Sequence, residues 1–363
     1  MQSNKKKWDT NSKVIVIFVH TLNVDSMNAK KILITGASGF IGSTAVDKAL
    51  ELGYETWAGI RKSSSLRYLQ DERIRFIDLQ YADKDKLKAQ LREFTDENGR
   101  IDHIVHIAGL TKARHKSDFD KVNYAYTRNF VEALIEMNAV PDSFVLMSSL
   151  SAMGIGDEIN YTPLQGDHQA NPNTAYGRSK LKAENYLKSL AGFPYLILRP
   201  TGVYGPRDKD YLILMKAVKN GLDVGAGFRK QILSFIYSED LVNVIFTLIG
   251  KGIRRKEYFV ADGDCYTDSE FNAIVQRALH KKHVVRLKIP LFLVKPAAFI
   301  SEKAAALTGR AVTFNTDKYH IMKQRNWACD TSSLQTDTGF VPAYRLEEGV
   351  EKTVAWYKEH GWL

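Results

Sequence analysis

Short, almost wholly apolar runs alternate along the chain with segments whose apolar residues recur every three or four positions. The first pattern predicts buried strands, and the second predicts amphipathic helices. We predict strands at residues 31–34, 55–60, 104–107, 144–147, 195–198 and 258–261. We predict helices at residues 42–50, 130–137, 175–186 and 241–249. This alternation is typical of an α/β fold with a parallel, doubly wound sheet and helices on both faces.

A glycine-rich turn joins the first predicted strand to the first predicted helix, and its residues are Gly36, Ser38, Gly39, Phe40, Ile41 and Gly42. Gly36 permits the tight turn, Gly39 lets backbone amides approach a phosphate, and Gly42 allows the helix to pack closely on the strand. A pyrophosphate would then lie at the helix N-terminus, where unpaired amides favour negative charge. The turn therefore predicts a Rossmann-type dinucleotide-binding fold.

The second predicted strand is followed by Arg61 and Lys62 rather than by an acidic residue. An acidic side chain there would bind the adenosine ribose hydroxyls of NAD, whereas two cations suit the 2′-phosphate of NADP. We therefore expect NADP as the cofactor. The alternatives are NAD and, for the two cations, a solvated basic loop.

A candidate catalytic set combines Ser148 and Ser149, at the end of a predicted strand, with Tyr176 and Lys180 on a predicted helix. Ligands of open α/β sheets bind at the carboxyl ends of the strands. Tyr176 and Lys180 are four residues apart and share one helix face, so the ammonium is expected to lower the pKa of the phenol. A tyrosine activated in this way can exchange a proton with a substrate oxygen during hydride transfer.

Taken in order, these motifs resemble the extended short-chain dehydrogenases/reductases, in the NAD-dependent epimerase/dehydratase group. The resemblance covers nearly everything from about Met27 onward, and its motifs lie at residues 35–42, 106–109, 122–123, 148–149, 176–180, 198–205, 237–241 and 339–342. Tyr126 departs from the pattern, because the family usually has glycine there. This departure is expected to alter helix packing or the width of the pocket.

The resemblance implies roles for individual residues. Tyr176 would be the general acid/base, Lys180 would hold the nicotinamide ribose and tune the tyrosine, and Ser149 would orient the substrate oxygen. The other residues that the resemblance places at the cofactor are Asp78 at the adenine with Leu79 beside it, Ala108, Gly109, Asn123, Pro200 and Val203.

Composition narrows the picture further. With 363 residues, of which 44% are hydrophobic, the chain can bury a large core. Its two cysteines offer no disulfide framework, which predicts a reducing compartment, namely the cytoplasm. The net charge of +10 comes from basic residues interleaved with acidic ones, so no nucleic-acid partner is expected. His103 and His106 point to opposite faces of a strand, and no metal site is predicted.

We predict a dinucleotide-binding domain at residues 27–205, to which residues 233–261 return. A smaller C-terminal substrate lobe would contain residues 206–232 and 262–363. Residues 1–26 are expected to be an extension outside the fold, with Met27 as the native initiator. A homodimer is common in the family, and no sequence feature specifies one here.

The apolar segment at residues 289–300 has several interpretations. An ordinary core helix with a basic edge is favoured, and the alternatives are the wall of a lipophilic pocket or contact with a membrane. The favoured function is hydride transfer between NADP(H) and a carbonyl or hydroxyl of a small, lipophilic substrate. The alternatives are a nucleotide-sugar epimerase with tightly bound NAD and a non-catalytic dinucleotide-binding protein. A sugar 4,6-dehydratase is disfavoured because Ser149-Leu150-Ser151 replaces its usual Thr-Asp-Glu.

Overall fold

A parallel, seven-stranded sheet forms the centre of the described part of the chain, which comprises residues 29–308 and 316–363 of a computed structural model. Three two-stranded sheets accompany it. The strands are β1 (Lys31–Thr35), β2 (Glu55–Gly59), β3 (Arg75–Ile77), β4 (His103–His106), β5 (Ser143–Met147), β6 (Tyr195–Pro200), β7 (Gly202–Tyr204), β8 (Leu222–Ala226), β9 (Ile232–Leu233), β10 (Phe235–Tyr237), β11 (Lys256–Val260), β12 (Tyr266–Thr267) and β13 (Val285–Ile289).

Helices cover both faces of the large sheet. The helices of the described chain are α1 (Phe40–Glu51), α2 (Lys84–Asn98), α3 (Lys116–Phe119), α4 (Tyr126–Glu136), α5 (Ala175–Ser189), α6 (Asp210–Lys219), α7 (Ser238–Gly250), α8 (Asp268–Ala278), α9 (Leu291–Thr308), α10 (Thr316–Lys323), α11 (Ser332–Thr338) and α12 (Leu346–Glu359). A π-helical stretch, Asp120–Ala125, leads into α4, and a short 3₁₀ turn, Leu150–Ala152, follows β5.

The strand order of the large sheet is β11-β6-β5-β4-β1-β2-β3. Every neighbouring pair in it is parallel. The order reverses between β1 and β4, so the carboxyl ends of these two strands flank a crevice in which such sheets bind ligands. The prediction of a doubly wound, Rossmann-type α/β fold is confirmed.

Both faces of the strands are apolar because both are covered. Ile32 and Ile34 belong to the core beneath α1 and α7, whereas Leu33 belongs to the core beneath α2, α4 and α5. Alternate side chains of one strand therefore anchor the two helical layers. This arrangement explains why the strands read as continuous apolar runs.

A third core, rich in aromatic side chains, holds the C-terminal part together. Tyr204, Phe235 and Phe271 pack there with α12, and the rings of Phe235 and Phe271 stack 4.7 Å apart. The division of the chain into two domains at the predicted boundaries stays a prediction. The predicted extension, residues 1–26 with Met27 after it, lies outside the described residues.

Two predictions about individual segments have clear outcomes. The expectation of an ordinary core helix at residues 289–300 is wrong, because α9 leaves Phe292 73% exposed and Ile300 66% exposed.

His106 is structural, as expected. Its ring nitrogens hydrogen-bond the hydroxyls of Thr35 and Thr127 at 2.9 and 3.0 Å. The described residues contain no cluster of side chains that could hold a metal ion.

Candidate active site

One cavity of about 1630 Å³ runs from the carboxyl ends of the central strands to the C-terminal lobe. Nearly all of the site residues predicted from the sequence line it. They are Gly36, Ser38, Gly39, Phe40, Ile41, Gly42, Arg61, Lys62, Asp78, Leu79, Ala108, Gly109, Ser149, Tyr176, Lys180, Pro200 and Val203. The chain thus brings together residues that lie up to 167 positions apart.

The glycine turn forms a backbone cradle that a side chain would fill. Gly36 has a φ of +67°, and a Cβ there would lie 2.8 Å from the backbone nitrogen of Ala108. A Cβ on Gly42 would lie 2.1 Å from the carbonyl oxygen of Gly36. Gly39 caps α1 without a side-chain hydrogen bond, so the first amides of α1 are left for a ligand.

The predicted 2′-phosphate site lies at the end of the cavity that is farther from the lobe. Arg61 and Lys62 are exposed there, just beyond β2. The Arg61 amide donates to Ser64 Oγ at 3.1 Å, and the Ser64 amide donates to the Arg61 carbonyl at 2.8 Å. Within residues 29–308 and 316–363, neither cation is within 4 Å of a carboxylate. Both charges are therefore available to an anion.

Hydrogen bonds at the N-terminus of α5 fix the start of this helix and thereby the position of Tyr176. Thr174 Oγ1 accepts from the Gly177 amide at 2.9 Å. Asp317 of α10 reaches across the chain, and its carboxylate accepts from the Ala175 amide at 2.9 Å. A Cβ on Gly177 would lie 2.2 Å from the Ser151 carbonyl, so α5 packs tightly on the turn that carries Ser149.

Tyr176, Ser149 and Lys180 meet at the cavity wall. The Ser149 side chain lies near that of Tyr176, where it acts to lower the pKa of the phenol. The Lys180 ammonium donates to the Met147 carbonyl at 2.7 Å and lies beneath Gly109, where a Cβ would be 3.2 Å from it. Phenol, hydroxyl and ammonium therefore share one end of the sheet, as the helix and strand patterns predict.

The predicted effect of Lys180 on Tyr176 is wrong for the protein alone. Burial raises the pKa of Tyr176 to about 12, and the neighbouring Ser149 hydroxyl only partly offsets this. Burial also lowers the pKa of Lys180 to about 8, although nearby Glu184 raises it. Lys180 is not among the groups that lower the pKa of Tyr176, and its ammonium donates to the Met147 carbonyl instead. Tyr176 is thus a neutral phenol at pH 7.

A buried ionic network separates the roles of the two adjacent serines. Ser148 donates to the carboxylate of Glu184, which also accepts from the Arg199 guanidinium at 2.7 Å. Glu257 also pairs with Arg199. Ser148 therefore serves the network behind the strand, and Ser149 is the serine that faces Tyr176.

Asn123 lies behind the cavity rather than on its wall. Its side chain is buried, accepts from the Leu110 amide at 2.7 Å, and donates to the Leu110 carbonyl at 3.0 Å. It also donates to the hydroxyl of Ser179 on α5 at 2.9 Å. Asn123 thereby ties the segment after Gly109 to the helix that carries Tyr176. Its contribution to cofactor binding stays a prediction.

A model of the NAD dependent epimerase/dehydratase family matches residues 32–261, well over half of the chain. The chain belongs to this family. Membership makes it an NAD-dependent enzyme of the oxidoreductase type. The glycine cradle, the open N-terminus of α1 and the unpaired Arg61 and Lys62 fit a dinucleotide such as NAD or NADP.

Relatives within the epimerase/dehydratase family have diverse names. The ceramide reductase of Caulobacter vibrioides is 24% identical, over 92% of this chain and 96% of its own length. The UDP-glucose 4-epimerase of Vibrio cholerae is also 24% identical, over 91% of this chain and 96% of its own length. The solved structure of a Thermus thermophilus UDP-glucose 4-epimerase complex with NAD has a TM-score of 0.72 at 19% identity, covering 90% of this chain and 99% of that one. This structural likeness supports the fold alone.

Sequence reasoning missed Arg207, which also lines the cavity. Its φ is +74°, a conformation that is costly for a residue with a Cβ. Its guanidinium pairs with Asp47 of α1 at 2.8 Å and lies 4.8 Å from the ring centroid of Tyr68. Within the described chain, the buried Nη1 atom has no hydrogen-bond partner. The run Gly205-Pro206-Arg207, at the end of the motif at residues 198–205, was the available signal.

The lobe end of the cavity was also missed, because its residues come from elements distant in sequence. Asp208 is buried there, and burial raises its pKa to about 6. Lys318 of α10 lines the same region, and burial lowers its pKa. Most of the remaining wall here is apolar and consists of Ile213, Leu214, Ala217, Val218, Leu222, Val224, Ile321 and Met322.

Proposed function

We propose that this enzyme transfers hydride between NADP(H) and a carbonyl or hydroxyl of a small, lipophilic substrate, with Tyr176 as general acid/base. The observation that carries the proposal is the meeting of Tyr176, Ser149 and Lys180 on the wall of the cavity that holds the glycine cradle. A non-catalytic dinucleotide-binding protein would have no need of this set.

The protonation state of the site favours carbonyl reduction. A phenol whose pKa is raised to about 12 carries its proton at neutral pH and can donate it to a substrate oxygen as negative charge develops there. The Ser149 hydroxyl beside it can orient the same oxygen. NADPH, when bound, supplies the hydride to the carbonyl carbon. Oxidation of an alcohol would require Tyr176 to lose its proton first.

Cofactor binding is assigned to three regions of the cavity wall. The amides around Gly39 and Gly42 would hold the pyrophosphate, and Asp78 would meet the adenosine. Arg61 and Lys62 would bind the 2′-phosphate of NADP, since both are exposed and unpaired within the described chain. Lys180 would hold the nicotinamide ribose.

The lobe end of the cavity supports a lipophilic substrate. Its wall is largely aliphatic, with Ile213 of α6, Val224 of β8 and Met322 of α10 among the contributors. Apolar pockets with a few placed polar groups orient apolar ligands by those groups. Tyr176 and Ser149 would supply that orientation. One relative of similar length is a ceramide reductase, which is consistent with this substrate class.

The alternative is a nucleotide-sugar epimerase that keeps NAD tightly bound. The name of the Vibrio cholerae relative favours it. Arg207, with its unpartnered Nη1, and Lys318 could meet a diphosphate in that case. The two functions differ in net chemistry, because an epimerase returns the hydride to its substrate and leaves the cofactor unchanged.

An assay of the full chain against two substrate panels tests the proposal. NADPH and NADH are each incubated with long-chain ketones and, separately, with UDP-, GDP- and dTDP-sugars, and absorbance of the reduced cofactor is followed. The proposal predicts consumption of NADPH with at least one long-chain ketone. Conversion of a nucleotide sugar to its epimer, without net cofactor consumption and without turnover of any ketone, would establish the alternative.

A further inference from the structure

Two segments of the lobe expose a set of large apolar side chains, which we call the apolar face. Its members are Leu222, Val224, Phe228, Val285, Leu287, Ile289, Phe292, Leu293, Phe299 and Ile300. Scattered exposed apolar residues are ordinary on soluble proteins, whereas a contiguous patch marks an interaction site. The function of these residues therefore depends on whether they form one surface and on what covers it.

The strands β8 and β13 turn apolar side chains outward, which is the reverse of the usual pattern in a surface sheet. Their parallel register pairs Leu222 with Val285 and Val224 with Leu287, so all four side chains lie on one face of the small sheet. That face is exposed. A one-layer surface sheet normally turns its apolar side inward and its polar side to water. The opposite arrangement here presents aliphatic side chains to the surroundings.

Charged residues of the same strands occupy the inner side of the small sheet. The Arg286 guanidinium lies 3.3 Å from the carboxylate of Asp223 on the neighbouring strand and 2.6 Å from that of Asp268 on α8. Lys288 lies 3.5 Å from the same Asp268 carboxylate. The two ion pairs to Asp268 fix the orientation of the sheet, because turning it over would bury its aliphatic residues but break both of these pairs.

The helix α9 continues the apolar face after β13. Val294 and Ala298, one turn apart, are buried against the protein. Phe292, Phe299 and Ile300 point the other way and are exposed. Leu291, at the start of α9, packs against the end of β8 at Gly227, where a Cβ would lie 3.2 Å from it. Helix and sheet are therefore joined at this point, and their exposed apolar side chains adjoin.

The charge around the apolar face identifies what covers it. Residues 285–300 contain basic side chains but no Asp or Glu. Exposed cations flank the face at Arg229 and Lys230, at Lys282, and at Lys295. Apolar side chains ringed by Lys and Arg are the pattern that binds the interface of a bilayer with anionic headgroups.

We propose that the apolar face docks this enzyme on the surface of an anionic lipid bilayer. Leu222 and Val224 belong both to the apolar face and to the cavity wall, so docking turns the lobe end of the cavity toward the lipid. A lipophilic substrate could then pass from the bilayer to Tyr176 without crossing water. This last step rests on the proposed function, whereas the docking does not. The proposed contact is interfacial. No helix within residues 29–308 and 316–363 is long and apolar enough to cross a membrane.

Vesicle flotation of the full chain, without cofactor or substrate, tests the docking. We expect binding to phosphatidylcholine vesicles that contain phosphatidylglycerol, much weaker binding to phosphatidylcholine alone, and a loss of binding as salt is raised. The double variant Phe292→Ser/Phe299→Ser should bind at least about tenfold more weakly, because it removes two aromatic anchors. The matched control, Ile159→Ser/Val341→Ser, removes apolar side chains that are 83% and 70% exposed elsewhere and should bind as the wild type does.

Three results would overturn the proposal. They are absence of binding to anionic vesicles, equal loss of binding in both double variants, and a stable dimer in light scattering that Phe292→Ser/Phe299→Ser dissociates. The last result would assign the apolar face to a second copy of the chain. Thermal melting of each variant checks that the fold is retained. Vesicle binding without ketone reduction would support the docking and contradict the proposed function. Ketone reduction without vesicle binding would support the proposed function and contradict the docking.

Discussion

At the scale of single residues, Tyr176 is held in its protonated form by burial rather than activated as a phenolate by its neighbour. The Lys180 ammonium is directed at the Met147 carbonyl, 2.7 Å away. The same ammonium lies beneath Gly109, where a Cβ would be 3.2 Å from it. In the proposed function, a buried phenol donates its proton to a substrate oxygen as a carbonyl is reduced.

Replacing the phenol hydroxyl should remove this donor and little else. We expect Tyr176→Phe to lower the turnover number by at least about a hundredfold, the lower part of the range for a positioned acid/base. The dissociation constant of NADPH should change little, because the ring is retained. The control is Tyr186→Phe, which removes a hydroxyl from the same helix away from the cavity. A turnover number of Tyr176→Phe within a few fold of that of the wild type would contradict the catalytic role of Tyr176.

The two cations after β2 give a prediction about cofactor choice. We expect the double variant Arg61→Ala/Lys62→Ala to weaken NADPH binding by roughly 1–3 kcal/mol for each charge-assisted hydrogen bond that the substitution removes. NADH binding should be unaffected, since NADH lacks the 2′-phosphate. Titration calorimetry with both cofactors measures this.

The control variant, Arg92→Ala/Lys251→Ala, loses the same net charge at two exposed cations outside the cavity wall. That variant should bind both cofactors as the wild type does. Equal weakening of NADPH and NADH in the Arg61/Lys62 variant, or a wild-type preference for NADH, would mean that the pair is only a solvated loop.

At the scale of elements, a buried and neutral imidazole links β4 to β1 and α4. His106, at the end of β4, bridges hydroxyls on β1 and α4, and burial lowers its pKa to about 3. The unfolded chain protonates the same ring near pH 6.5. Because the folded pKa is the lower one, this contribution to stability is present above pH 6.5 and is lost as the pH falls toward 3.

Replacing His106 should remove this titration, so the unfolding free energy should depend less on pH in the acid range. Between pH 7 and pH 5 the wild type should lose about 2 kcal/mol of unfolding free energy through His106, and His106→Gln should not lose this part. Urea unfolding at the two pH values measures the difference. His168→Gln, at an exposed histidine, should keep the wild-type loss. Equal losses in wild type and His106→Gln would contradict the assignment.

The elements that could be predicted from the sequence are those whose signal is local. The strand, glycine turn and helix from Lys31 to Glu51 were predicted in order, because each step has its own pattern. The outward orientation of α9 could not be predicted, since apolar periodicity does not say which side is covered. Nor could the bond from Asp317 to the Ala175 amide, because 142 residues separate the partners.

At the scale of the whole molecule, one cavity joins three regions to which the proposal gives different functions. The glycine cradle and the cations after β2 lie at one end, the Tyr176 set lies along the wall, and an aliphatic wall lies at the lobe. The apolar face begins where that wall reaches the surface, at Leu222 and Val224. The sequence predicted the first two regions from motifs. The third is assembled from α6, β8 and α10, whose proximity only the fold establishes.

The transfer of label from the cofactor to the product tests the central claim most directly. The full chain is incubated with NADPH that carries deuterium at both hydrogen positions of C4 of the nicotinamide and with a long-chain ketone that the enzyme reduces, and the alcohol is analysed by mass spectrometry. We predict one deuterium on the carbinol carbon for each NADPH oxidised, and loss of this product in Tyr176→Phe. An unlabelled product, or epimerisation of a nucleotide sugar with no net oxidation of NADPH and no ketone reduction, would contradict this claim.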